Sequence, residues 1–317
     1  RRFQAILVRP YDGAMADLAS ESLIVGCGYL GRSLAERLLE HGQRVHGTVR
    51  QRSDAEALRC LGVNPVMLEV TRPLSFPALA PALEAEQLDV YYLVPPGRSG
   101  GVPTPRQVIL GGIAHITRQL RQGAVRRGVL VSSTAVYGQA SGGRVDADTL
   151  PQPGGERGRL LLEGEGLWRE QDEGDPRWRV VRLAGLYGAG RIVGEKAVRE
   201  GAPLVGDPEA LLNLIHVQDA ADLLVAVMQG DAAGPVELGA DGHAVARMDY
   251  YAELAQRLGV PTPRVVDDPA ELRRLGLSPD RLRRSASKAC DPMPTCRRTG
   301  WSPRYATFKQ GFDELLG

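Results

Sequence analysis

Gly26-Cys27-Gly28-Tyr29-Leu30-Gly31 has the glycine spacing of a diphosphate-binding turn. Gly26 permits the turn itself, Gly28 removes the side chain that would block a phosphate, and Gly31 lets a helix pack closely on the preceding strand. Backbone N–H groups of Tyr29 and Leu30, at the helix start, can then receive phosphate oxygens. In a chain with 38 glycines such spacing arises easily, so context decides its meaning. Here the apolar run Ser22–Val25 precedes the turn and the helically spaced Leu30–Leu39 follows it, as the motif requires.

The next strand, Val45–Val49, ends at Arg50, with Arg52 close behind. A basic side chain at that strand end suits the additional phosphate of NADP, whereas a carboxylate suits the ribose of NAD. Arg50 is therefore the expected 2′-phosphate ligand, with Arg52 or Arg32 as its partner, because guanidinium groups bind phosphate through paired donors. NADP is expected ahead of NAD, and Asp54 keeps NAD open. Glu69 reads either as an acceptor for the adenine amino group or as a surface carboxylate. Val94, Pro95 and Pro96 should shape the loop beside the cofactor.

These residues need a framework of alternating strands and helices. Val63–Leu68, Asp89–Val94, Gly128–Ser132 and Trp178–Leu183 continue the strand series, with helices over Asp54–Leu61, residues 106–121 and the segment from Leu160. Buried-looking strands in this order predict an α/β fold, a Rossmann-type doubly wound parallel sheet. Residues 1–185 are expected to form the dinucleotide-binding domain, with 1–21 as an extension or edge element in which Phe3–Val8 could add a strand. Residues 186–317 read as a smaller substrate lobe with some segments returning to the core. Within that lobe short strands are expected at Leu211–Ile215 and Val236–Leu238, and helices at Ala220–Met228, Met248–Leu258 and Thr307–Leu316.

The 317 residues carry 39 basic and 38 acidic side chains, a balance that gives no general attraction to nucleic acid or anionic membrane. Arg281, Arg283 and Arg284 form a local basic stretch that reads first as a solvated face. No run reaches the roughly 20 apolar residues of a membrane span. Four scattered cysteines, Cys27, Cys60, Cys290 and Cys296, fit unpaired thiols in a reducing cytoplasm, and no metal site is expected.

Several further motifs follow the glycine turn in order. They are Tyr92-Leu93-Val94-Pro95-Pro96, Ser132-Ser133-Thr134-Ala135-Val136-Tyr137-Gly138, Arg182-Leu183-Ala184-Gly185-Leu186-Tyr187-Gly188, Asn213-Leu214-Ile215-His216-Val217-Gln218-Asp219 and Gly300-Trp301-Ser302-Pro303-Arg304-Tyr305. Together they resemble the extended short-chain dehydrogenase/reductase superfamily, on its NAD-dependent epimerase/dehydratase side, over most of the chain from residue 22. The resemblance implies an oxidoreductase or epimerase/dehydratase-like enzyme. It assigns the oxygen-binding hydroxyl to Ser133, with Thr134 beside it and Ser132 at the cofactor, and it allows a homodimer and a sugar-like or nucleotide-linked small substrate.

One motif departs from that family. Its Tyr-x-x-x-Lys pair falls on Gly155 and Arg159, so the helix after the fifth strand lacks that pair. Arg159 can keep contacts to the nicotinamide ribose, but its high pKa prevents it from cycling a proton. Glu156, Glu163, Tyr137, Tyr187 and His216 are the weaker substitutes, and Lys288, Arg297 and Arg191 are candidate anion contacts for the substrate. The alternative to an enzyme is a non-catalytic NADP-binding sensor or interaction protein.

Overall fold

The computed structural model describes residues 19–97, 101–138, 142–172, 177–277 and 287–317. The proposed strand at Phe3–Val8 and the basic stretch Arg281–Arg284 lie outside them. Seven strands form one parallel sheet: β1 (Glu21–Val25), β2 (Arg44–Val49), β3 (Asn64–Met67), β4 (Leu88–Tyr92), β5 (Val125–Ser133), β7 (Trp178–Leu183) and β10 (Val236–Gly239). They lie in the order β10-β7-β5-β4-β1-β2-β3. The chain starts in the middle, builds outward to β3, then returns to extend the other side. This places the switch in strand order between β1 and β4, the crevice where ligands of such sheets bind.

Helices cover both faces because the central strands are buried on both sides; β7, for example, is buried along its whole length. α1 (Tyr29–Glu40) turns Leu34, Ala35 and Leu38 inward, and it packs against α5 (Val217–Gln229). α2 (Arg52–Cys60) follows β2, while α3 (Gly112–Leu120) and α4 (Glu156–Arg169) flank β5. The predicted helix at 106–121 is interrupted by a wider π turn at Gln107–Gly111 before α3 begins. Gly112 meets the Tyr92 ring there so closely that a Cβ would stand 2.5 Å from the phenol oxygen.

Shorter elements complete the C-terminal edge of the sheet. β6 (Gly143–Val145) pairs in parallel with β11 (Lys288–Cys290), and β8 (Gly185–Tyr187) pairs with β9 (Leu214–His216). A second, smaller core gathers Tyr187, Val198, Leu214, Tyr250, Leu254, Phe308 and Phe312 around α6 (Arg247–Leu258) and α7 (Phe308–Leu316). Asp219 ties this end of the chain down. Its carboxylate accepts from the backbone N–H groups of Arg304 and Tyr305, and its carbonyl accepts from the Trp301 indole. β10 joins the large sheet although it follows most of the small lobe's first half in sequence.

Candidate functional site

The glycine turn lies at the C-terminal end of β1, against β4's exit. Gly26 has φ of 89°, and a Cβ there would stand 3.0 Å from the Val94 nitrogen, so both conformation and space demand glycine. Thr48 braces the turn: its hydroxyl accepts from the Gly26 N–H at 2.8 Å and its carbonyl from the Cys27 N–H at 2.9 Å. Cys27 is buried, which pushes its thiol up to about 12 and makes it a packing residue. Above Gly28 the space is open, with nothing within 4 Å of an added Cβ. No side chain caps α1, which leaves the N–H groups of Tyr29, Leu30 and Gly31 without helical partners. This uncapped helix start under an open glycine fits the diphosphate of a dinucleotide.

A cleft of about 620 Å³ continues from the turn over the strand ends, lined in part by Thr48, Arg50, Asp54, Glu69, Val94 and Pro95. Its walls supply the apolar slot and rim carboxylates that an adenosine would meet. Arg50 reaches the cleft, with 72% of its side chain exposed, and its guanidinium stands 3.6 Å from Glu69. Arg32 holds Asp54 at 2.8 Å. Arg52 begins α2, is exposed and does not line the cleft, and Pro96 also stays outside it. Tyr29 turns its ring the other way, beneath the Arg191 guanidinium, and lines a second groove of about 560 Å³ with His216 and Gln218. Leu30 is core, so any contact to the cofactor comes from its backbone.

At the end of β5, alternate side chains point to opposite faces and divide the two serines. Ser132 is buried, and its hydroxyl donates to Glu165 at 2.5 Å. Glu165 in turn receives a forked guanidinium from Arg182, with a shortest contact of 2.6 Å, and Arg182 also donates to the Tyr137 phenol at 2.8 Å. Tyr137 donates onward to the Asp146 carbonyl. The expectation of Ser132 at the cofactor is therefore corrected, because its hydroxyl is committed to this sealed network. Tyr137 is likewise structural, its phenol pKa raised by burial. Glu163, by contrast, pairs with Arg106 on the surface at 3.1 Å.

Ser133 is half-buried on the other face, where its oxygen accepts from the Ala135 N–H at 3.3 Å while its proton remains available. Thr134 is buried and its side chain hydrogen-bonds with the Cys290 thiol. Gly155 is the residue preceding α4, in extended conformation, and nothing lies within 4 Å of an added Cβ. Arg159 stands one turn further, exposed, without a side-chain partner among the described residues.

Burial sets the protonation of several groups nearby. Asp241, just beyond β10, has its carboxyl pushed up to about 8 by burial, and one of its oxygens has no partner in the structure. Burial lowers His216 to about 4, so it is neutral, and its Nε2 is unpartnered. Asp219 is raised to about 6 by burial, against its two backbone hydrogen bonds. Glu165 and Asp241 were not singled out by sequence reasoning; a lone acid on a helix or in a turn carries no local sign of its buried partner. Among the described residues no group of His, Cys, Asp and Glu could hold a metal ion, and no helix is long and apolar enough to cross a membrane.

A parallel sheet with this strand order, a glycine turn at its switch point and an uncapped helix above it defines a Rossmann-type nucleotide-binding protein. Within that class, the chain belongs to the NAD dependent epimerase/dehydratase family, which it matches over residues 22–239. It is thus an NAD(P)-binding member of that superfamily. Protein YeeZ of Escherichia coli K12 is 30% identical over 248 residues, covering 76% of this chain and 84% of YeeZ. The 3-diazoavenalumate denitrifying reductase of a Streptomyces species is 26% identical over 306 residues, covering 91% and 98%. A solved protein of unknown function from Silicibacter pomeroyi superposes with a TM-score of 0.73 at 28% identity, covering 94% and 99%.

The expected order of cofactors is overturned. MoeE5, solved with UDP-glucose and NAD, shares the fold with a TM-score of 0.74 at 21% identity over 93% of this chain and 97% of its own. The UDP-glucuronic acid 4-epimerase of Bacillus cereus, also solved with NAD, scores 0.73 at 16% identity over 92% and 96%. Both hold NAD rather than NADP. In this chain, moreover, Arg50 and Arg32 each face a carboxylate at the cleft.

Proposed function

We propose that the chain is a nicotinamide-dinucleotide-dependent oxidoreductase or epimerase-like enzyme acting on a hydroxyl or carbonyl of a sugar-like or nucleotide-linked small molecule. NAD is the cofactor to test first. The observation that carries this reading is the open Gly28 turn at the switch point of the sheet, with the Ser133 hydroxyl at the end of a neighbouring strand. When bound, the cofactor supplies or accepts hydride. The chain's own residues hold the diphosphate at the start of α1, seat the adenosine between Val94, Pro95 and the end of β2, and offer the Ser133 O–H to the reacting oxygen. Arg159, exposed one turn into α4, is the residue assigned to the nicotinamide ribose. UDP-glucose and UDP-glucuronic acid, found with two proteins of the same fold, set the first substrates to try.

The test has two stages. Titration of the purified chain with NAD, NADH, NADP and NADPH, read by intrinsic fluorescence, should show saturable binding that Gly28→Arg abolishes. Turnover of UDP-sugars and simple carbonyl compounds is then followed by nicotinamide absorbance and product analysis. Cofactor binding without turnover across the panel would reject the enzyme.

A second reading is favoured by the glycine and arginine that occupy the Tyr-x-x-x-Lys positions: a cofactor-binding sensor that has dispensed with chemistry. Cofactor-dependent capture of a partner, with no turnover, is its expected signature.

A further inference from the structure

Only three of the 39 basic residues are lysines, Lys196, Lys288 and Lys309; the rest are arginines. Two of the three are exposed and paired, Lys196 with Glu200 at 3.8 Å and Lys309 with Glu253 at 3.1 Å. Lys288 is different. It is 7% exposed, and among the described residues no carboxylate lies within ion-pair distance and no hydrogen-bond partner meets its ammonium. A lysine whose stem is buried while its ammonium meets no counter-charge contributes little to the stability of the fold.

Its placement is specific. β11 alternates Lys288 and Cys290 on one buried side, and the Cys290 thiol hydrogen-bonds with Thr134, the neighbour of Ser133. Asn213 fixes that strand from the small lobe, donating to the Lys288 carbonyl at 2.8 Å and accepting from the Cys290 N–H at 2.7 Å. The ammonium therefore belongs to the strand that backs the hydroxyl pair at the end of β5. Burial lowers the Lys288 pKa, and the neighbouring Cys290 acts in the opposite direction.

We propose that Lys288 is a substrate-binding cation, which holds a carbonyl or carboxylate oxygen of the substrate beside the Ser133 hydroxyl. This rests on the function proposed above and adds the group that the departure at Gly155 and Arg159 leaves wanting. Arginine would serve for charge alone; a lysine also presents a compact ammonium whose pKa responds to burial.

The chain has few amines, so the test can be direct. Glyoxylate with cyanoborohydride, a small carbonyl and carboxylate probe, converts an amine that it reaches into a carboxymethyl amine, located by peptide mass spectrometry. Lys288 should react faster than Lys196 and Lys309, and oxalate, which has the carboxylates but cannot condense, should slow Lys288 alone. Lys288 left unmodified while the other two react, or modified at a rate that oxalate does not change, overturns the proposal. NADH binding measured on the same sample separates the two readings. NADH bound with Lys288 inert defeats this inference only. Lys288 reactive and oxalate-protected with no NADH bound defeats the proposed function and leaves the anion site standing. No variant need fold for either result.

Discussion

The two faces of the β5 terminus differ in kind. Behind it, Ser132, Glu165, Arg182 and Tyr137 satisfy one another in a sealed network. In front, Ser133, Gly155 and Arg159 present groups with little to hold them. The first face makes the strand end rigid, and the second is where chemistry would occur. Loss of a family tyrosine therefore need not disturb the fold, because the buried network and not the phenol at position 155 secures this region.

The largest effect should come from breaking the sealed face. Glu165→Ala leaves the Arg182 guanidinium buried without its carboxylate and should cost about 3–5 kcal/mol in urea unfolding. A loss below about 1 kcal/mol would show that the network is not what holds the strand end. On the open side, Gly28→Ala adds a methyl group that touches no protein atom. It should weaken NADH binding about tenfold or more, roughly 1.4 kcal/mol, while leaving the melting temperature unchanged; equal loss of both would erase the distinction between cradle and fold.

Asp241 offers a test through pH. Its folded pKa of about 8 lies above the unfolded value of 3.8, so the folded form keeps a proton that the unfolded chain releases. Stability from this group is complete below pH 4 and declines through pH 8, with a slope of up to about 1.4 kcal/mol per pH unit. Asp241→Asn should flatten that decline in denaturant titrations repeated from pH 5 to 8. The smallest effect is expected from Gly155→Tyr with Arg159→Lys. Position 155 has extended backbone and open space, so restoring the family pair should change stability by no more than about 0.5 kcal/mol. A large loss would mean that the open face is less tolerant than its geometry indicates.

Legibility in the sequence follows the range of the interaction. The glycine turn, β1, β2, α1 and β7 depend on residues close in the chain, and their types and spacing announce them. The departure at Gly155 and Arg159 is equally local. The partnership of Glu165 with Arg182 depends on a helix meeting a strand, and β11 is a three-residue strand that exists only through β6. Lys288 could be proposed as an anion contact, but not as a cation without a partner. The order of cofactors depends on a contact of the same kind, since Glu69, which faces Arg50, lies in the loop just beyond β3.

The edge strand β10 has a consequence for synthesis. When residues 178–183 have left the ribosome, the outer edge of β7 has no neighbour until residues 236–239 follow, and the buried Glu237 still awaits its salt bridge from Arg298. A nascent chain thus carries an open, apolar sheet edge while the intervening segment is being made, when pairing with another chain competes with its own completion. A cut at residue 185 would make that interval permanent.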